Sequence, residues 1–217
     1  MRFVRLAGAV AVAAAAAGCS TAVDGAATAD GFTPAASNPD PSVSIEGITV
    51  VDYPVGDHVG AEQRVAYDRT PPFGGPHDSV WATCTGTVYD VPIRNENAVH
   101  SLEHGAVWIA YDPARVSGTD RDRLVARVEG QPYMLLSPYP GLPAPVSLQS
   151  WGHQLTVDDT ADERIDEFIG ALRLNPDTYP EPGATCSTIP GMFDPSNPPP
   201  LQPDPPDPAS PNTVPMN

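Results

Sequence analysis

The clearest hydrophobic pattern in the chain is residues 106–111, AVWIAY, a mostly apolar run between Gly105 and Asp112-Pro113. A short run that is apolar on both faces predicts a central strand covered on both sides. Four further runs rich in β-branched and aromatic residues predict strands at 48–51, 85–92, 133–136 and 146–151.

Two later segments have the apolar spacing of amphipathic helices. Residues 120–128 follow Thr119, a residue type that caps helix N-termini, and their apolar side chains fall on one side. Residues 160–163 match a Thr-x-x-Glu capping box, and apolar residues then recur at i, i+3, i+4 and i+7 from Ile165. Because strands outnumber helices and often follow one another, the predicted class is α+β: a single domain with a mostly antiparallel or mixed sheet and two main helices.

The two ends of the chain lack this patterning and bound one predicted domain, residues 45–189. Residues 1–18 combine two arginines with an apolar run too short to span a membrane, which is the pattern of a secretory signal peptide. Residues 19–44 are rich in Ala, Thr, Ser and Pro, which predicts a flexible tether. Residues 190–217 are rich in proline, which donates no backbone hydrogen bond, and predict a disordered tail that joins no helix or sheet.

Cys19 follows Ala-Ala-Gly, as in the lipidation sites of bacterial lipoproteins. We expect Cys19 to be lipidated, which would anchor the protein in the cell envelope, at the extracytoplasmic face of the membrane. The alternative is an ordinary secreted protein with an unmodified cysteine. Loss of Arg2 and Arg5 with the signal would change the formal net charge from −16 to −18. So acidic a surface argues against nucleic acid and anionic headgroups as partners, and no pattern identifies a protein partner.

The other two cysteines, Cys84 and Cys186, have no close Cys-x-x-Cys neighbour. An oxidising compartment favours a disulfide between them, closing a loop of about 100 residues that chain-entropy models value at about 4–5 kcal/mol. The alternative is that the two thiols bind copper or zinc.

Residues 97–105, NAVHSLEHG, contain two of the five histidines and one carboxylate. On a helix, His100 and His104 are spaced i, i+4 and share one face, where two imidazoles can bind one transition-metal ion. The alternative is a pair of ordinary histidines near a helix end, since Gly105 matches a C-cap.

The His-x-x-Glu-His pattern also matches the inverted zincin motif, in which both histidines bind zinc and Glu103 is the general base. That motif belongs in a longer helix with a further ligand downstream, whereas here Gly105 and a strand follow at once. Glu103 is equally suited to accept a hydrogen bond that orients a histidine ring. A metal-dependent hydrolase is therefore an alternative and not the leading hypothesis.

Residues 70–77, TPPFGGPH, end in a third histidine. Three prolines and two glycines predict a loop of defined course with little side-chain bulk. Such a loop can hold His77 against a neighbouring element, although an exposed turn histidine would have the same pattern.

In this order, PPFGGPH, GTVYDVP, VHSLEHGAVWIAYDP, SPYP and SWG resemble an actinobacterial exported family whose domain has no assigned function. The resemblance covers about residues 55–175 and is most specific at HSLEHG; members typically carry Pro-Pro-x-(Ser/Gly)-Gly-Pro-His. It implies a secreted or membrane-anchored protein, and an upstream His-Val pair adds His58 to the histidines that fit. Members often have Ala-Trp-Gly-Arg where this chain has Ser-Trp-Gly-His, so His153 is not carried over.

These features predict an extracytoplasmic lipoprotein that binds one copper or zinc ion through His77, His100 and His104, with His58 as a fourth ligand. Binding, handling or sensing of the metal is favoured over catalysis, because no complete nucleophile or acid–base set is evident. The alternatives are a hydrolase with Glu103 as general base, and a metal-free envelope interaction module in which the histidines hydrogen-bond to one another and to Glu103. The distances between the histidine rings distinguish these hypotheses.

Overall fold

A six-stranded mixed sheet lies at the centre of the protein. The computed structural model describes residues 31–216. Its strands are β1 (Thr49–Val50), β2 (His58–Val59), β3 (Arg64–Ala66), β4 (His77–Asp78), β5 (Thr85–Val88), β6 (Val107–Tyr111), β7 (Met134–Pro138), β8 (Val146–Ser150), β9 (His153–Val157) and β10 (Thr213–Pro215). Its α-helices are α1 (Asn95–Glu103), α2 (Thr119–Val128) and α3 (Arg164–Leu172), and a 3₁₀ turn covers Pro41–Ser44.

The large sheet has the strand order β1-β9-β8-β6-β7-β5. β7 pairs in parallel with β5 and β6, whereas β6–β8, β8–β9 and β1–β9 are antiparallel. Two small parallel sheets, β2–β4 and β3–β10, lie outside it. The predicted class, a single α+β domain with a mixed sheet, is confirmed; a third helix, α1, accompanies the two that were expected.

The central strand β6 is buried along its whole length, as its apolar sequence predicts. Its side chains alternate between two cores, because successive residues of a strand point to opposite faces. Trp108 and Ala110 pack in the core that includes α1, whereas Val107, Ile109 and Tyr111 pack in the core that includes α2 and α3. The sheet therefore separates α1 and its histidines from the other two helices.

Gly105 makes the sharp turn between α1 and β6. Its φ of 89° lies in the left-handed region, and a Cβ at this position would lie 2.6 Å from the ring of Tyr179. A side chain would therefore be strained and would collide with an aromatic ring, which is why a glycine ends the helix here.

One strand was not predicted, and the start of one helix was predicted wrongly. Residues 153–157 form β9, which pairs with β8 through the tight turn at Trp151-Gly152 and was not expected as a strand. Helix α3 begins at Arg164, four residues after Thr160. The hydroxyl of Thr160 donates to a carboxylate oxygen of Asp120 instead of capping the helix. A tertiary hydrogen bond therefore replaces the predicted local cap.

The proline-rich tail packs against the domain. Thr213–Pro215 pairs with Arg64–Ala66, the amide of Arg94 donates to the carbonyl of Pro199, and the Arg64 guanidinium donates to two further tail carbonyls. The expectation that no part of the tail joins a sheet is therefore wrong for β10. Proline lacks an amide hydrogen but keeps its carbonyl, so the tail can accept hydrogen bonds that the domain donates.

The end of the predicted tether also contacts the domain. Pro41 and Ser42 are buried, and Asp40 lies 3.2 Å from the Nε2 atom of His153. The ordered part of the chain therefore begins before residue 45. The predicted signal peptide, Cys19 and the first part of the tether lie outside the described residues.

The disulfide predicted from the sequence is confirmed: Cys84 and Cys186 are bonded, with both residues buried. It links the residue that precedes β5 to the loop that follows α3. Among the described residues, no helix combines the length and the apolar character needed to cross a membrane.

Candidate metal centre

Three elements bring three of the predicted histidines together. His58 in β2 and His77 in β4 are partners in register, so both side chains leave their small sheet on the same face. The rings of His58 and His77 lie 4.9 and 4.8 Å, between centroids, from the ring of His100 in α1. Histidines separated by up to 42 positions in the sequence therefore meet at one point.

Glu103 joins these histidines because it lies three residues after His100, on the same face of α1. Its Oε2 atom is 2.8 Å from Nε2 of His77 and 3.9 Å from Nε2 of His58. We call His58, His77, His100 and Glu103 the inner cluster; one ligand atom from each lies within 4.8 Å of the others. Around a tetrahedral ion with metal–ligand bonds of about 2.1 Å, ligand atoms lie about 3.4 Å apart, so a bound ion would draw the more distant atoms of the cluster together by about an ångström.

Each buried histidine of this region uses its Nδ1 atom for a backbone carbonyl. The pairs are His77 with Gly75 at 2.9 Å, His100 with Asp78 at 2.6 Å, and His104 with Thr185 at 2.8 Å. A carbonyl can only accept, so Nδ1 carries the proton and a neutral ring presents Nε2 as a free lone pair. Histidines that bind metals in proteins are oriented in this way.

The environment keeps the His100 and His104 rings neutral. Burial, together with the nearby His77 ring, lowers the pKa of His100 to about 3, and burial also lowers the pKa of His104. Burial alone would raise the pKa of Glu103, but the neighbouring His77 and His100 rings outweigh it and hold that pKa below its usual value. At neutral pH the Glu103 carboxylate and the His100 and His104 nitrogens are therefore in the forms that bind metals.

The Nε2 atom of His77 is buried and has no hydrogen-bond partner in the structure. It lies 2.8 Å from a Glu103 oxygen. A neutral His77 ring with its proton on Nδ1 would set two lone pairs against each other in a dry environment, which is unfavourable unless a cation lies between or beside them. The inner cluster is therefore electrostatically suited to a positive ion.

His104 lies beyond the inner cluster. Helix α1 ends at Glu103 and His104 is its C-cap, with the His100 and His104 rings 4.6 Å apart. Its Nε2 atom faces Glu181, at 3.4 Å. The structure thus groups His58, His77 and His100 with Glu103, and it groups His104 with His100 and Glu181.

No sequence pattern indicated two neighbours of the site. Glu181 comes from the loop after α3, and Trp81 packs against the rings of His100 and His104 at 5.4 and 4.8 Å between centroids. His153 lies elsewhere, with its Nε2 atom 3.2 Å from a carboxylate oxygen of Asp40.

A family model described as a protein of unknown function (DUF3105) matches residues 58–188, which make up more than half of the chain. No curated protein and no solved structure shows significant similarity to the chain. The matched segment contains the whole inner cluster, His104, Glu181 and both cysteines of the disulfide. This chain therefore belongs to the DUF3105 family of proteins of unknown function.

Proposed function

We propose that the inner cluster binds one divalent zinc or copper ion and that the protein binds or handles this ion without catalysing a reaction. The observation that carries the proposal is the Nε2 atom of His77: it is buried, lacks a hydrogen-bond partner and lies 2.8 Å from the Glu103 carboxylate. A cation bound by both groups would remove this unfavourable contact. Imidazole and carboxylate ligands suit zinc and copper.

The ligand set also limits the metal. Cys84 and Cys186 are joined in the disulfide, so neither offers a thiolate. Three imidazoles and a carboxylate without a sulfur ligand favour Zn²⁺ or Cu²⁺ over Cu⁺, which prefers soft ligands. His58, with 48% of its side chain exposed, gives the ion a route from solvent to the buried ligands.

The proposed location is the extracytoplasmic face of the membrane, with the protein held by a lipid on Cys19. The signal-like residues 1–18 and the cysteine that follows them support this location. A disulfide between the other two cysteines fits an oxidising compartment.

Elemental analysis tests the proposal directly. The purified protein, loaded with zinc or with copper and then dialysed, should retain about one ion per chain. A His77→Ala, His100→Ala variant should weaken binding well beyond the 10-fold to 100-fold loss that follows removal of an indirect partner of a ligand. His153→Gln is the matched control, because His153 also directs Nδ1 at a carbonyl but lies outside the inner cluster. Unchanged metal binding by the double variant would contradict the proposal.

A single methyl group at Gly56 should also weaken metal binding. A Cβ at Gly56 would lie 2.5 Å from Nδ1 of His77, so alanine must displace the ring or the strand that carries it. We expect the dissociation constant for zinc, measured by competition with a chromophoric chelator, to rise about tenfold or more. Gly60→Ala is the control, because a Cβ there would meet its nearest neighbour at 3.6 Å, an ordinary contact. Equal affinities of the two variants would contradict the expected displacement.

A further inference from the structure

We propose that the protein has a second position for the metal ion, formed by His100, His104 and Glu181, which is occupied in alternation with the inner cluster. This inference rests on the metal binding proposed above. We call these three residues the outer group. One ligand atom from each lies within 4.8 Å of the others, and Nε2 of His104 is 3.4 Å from Oε2 of Glu181.

Hydrogen bonds and aromatic packing hold the residues of the outer group in place. The Nδ1 atom of His104 donates to the carbonyl of Thr185, which leaves Nε2 free and directed at Glu181. The backbone amide of Glu181 donates to the carbonyl of Glu103 at 3.2 Å, so the loop that carries Glu181 is held against the end of α1. Trp81 packs on the rings of His100 and His104 and fixes their mutual orientation.

The outer group faces solvent through its carboxylate. The Glu181 side chain is 45% exposed, whereas those of His104 and Glu103 are 3% and 1% exposed. A hydrated cation can therefore meet Glu181 before it loses its water and reaches the buried imidazoles. This entrance lies beside His104, whose ring contacts that of His100 at 4.6 Å between centroids.

His100 belongs to both positions but can serve only one of them at a time. Its Nδ1 atom is committed to the carbonyl of Asp78, so a single lone pair, on Nε2, remains for a metal. The chain therefore holds one ion and not two. The inner cluster supplies four ligands and the outer group supplies three, so the inner position is favoured at equilibrium and the outer position serves ion exchange.

Removal of the inner ligands separates the two positions. We compare zinc binding by the full chain, by a His58→Ala, His77→Ala variant, and by that variant with Glu181→Gln added. The unchanged chain should bind one ion, the double variant should still bind one ion at least about tenfold more weakly, and Glu181→Gln should cause a further loss of at least about tenfold. Binding by the unchanged chain with none by the double variant overturns the outer position alone. An unchanged chain that binds no zinc overturns the proposed function itself.

Loading kinetics provide a test that needs no change in the inner cluster. With Glu181→Gln alone, zinc should load several-fold more slowly, while the amount bound at equilibrium stays at one ion per chain. Glu129→Gln removes the same charge from the end of α2, whose buried residues lie in the opposite core, and should load at the rate of the unchanged chain. Equal loading rates for these two variants overturn the role of Glu181, even if the double variant fails to fold.

Discussion

Replacement of Arg94 by methionine is expected to lower the free energy of unfolding by about 3–5 kcal/mol, because it removes one partner from a buried set of charges. Arg94 is 6% exposed; its guanidinium pairs with Asp78 and, at 3.2 Å, with Glu96, and it donates to the carbonyl of Gln63. Methionine keeps much of the apolar stem but leaves two carboxylates without their cation. Buried charges that lose their partner are far more costly than the intact pair is stabilising.

The same substitution should weaken metal binding. Asp78 follows His77 in β4, and its carbonyl accepts the Nδ1 hydrogen of His100. Arg94 holds the Asp78 side chain, so its loss frees the short strand that positions one ligand and orients another. We expect a rise of about tenfold in the dissociation constant for zinc, the scale found for indirect partners of metal ligands.

Chemical denaturation measures the stability change, and Arg123→Met is the matched control. Arg123 pairs with Asp120, but its side chain is 47% exposed, so its removal should cost less than about 1 kcal/mol. Adding Asp78→Asn to the Arg94→Met variant should recover part of the stability, because it neutralises one unpaired carboxylate. Similar losses for Arg94→Met and Arg123→Met would show that the buried charges are not the source of the effect.

Local patterns predicted the parts of the fold that are stabilised by neighbouring residues. The strand β6 is apolar on both faces, and α2 has its apolar residues on one side, so their burial follows from periodicity. The fold class and the disulfide could be predicted for a similar reason. Each prediction depends on composition or on residue type, and not on the path of the chain. Boundaries set by tertiary contacts were missed, as at Thr160, which bonds to Asp120.

The candidate site shows the same limit. The i, i+4 spacing of His100 and His104 indicated a cluster, and their rings lie 4.6 Å apart. The spacing did not indicate that Glu103 would lie against His77, or that the Nε2 atom of His104 would face Glu181. No local pattern predicts Glu181, because its position depends on a loop that reaches α1 from 78 residues further along the chain.

That loop is why the disulfide matters to the site. Cys186 is adjacent to Thr185, whose carbonyl orients His104, and its own carbonyl accepts the amide of Cys84. The disulfide therefore fixes the segment that contains Glu181, a member of the outer group, and Thr185, which orients His104. The inner cluster lies on α1, β2 and β4, none of which contains a bonded cysteine. Loss of the disulfide should therefore affect the two positions differently.

Replacement of Cys84 and Cys186 by alanine is expected to lower the free energy of unfolding by about 2–5 kcal/mol, because an unfolded chain without the cross-link gains entropy. The separation of 102 residues places the effect toward the upper end of that range. Denaturation without reductant should show this loss, and dithiothreitol should reproduce it in the unchanged chain but have no effect on the double variant. The variant should still retain about one zinc ion per chain, since the inner cluster is built on other elements. Complete loss of zinc from a folded double variant would mean that the loop around Cys186, and not β2, β4 and α1, holds the metal.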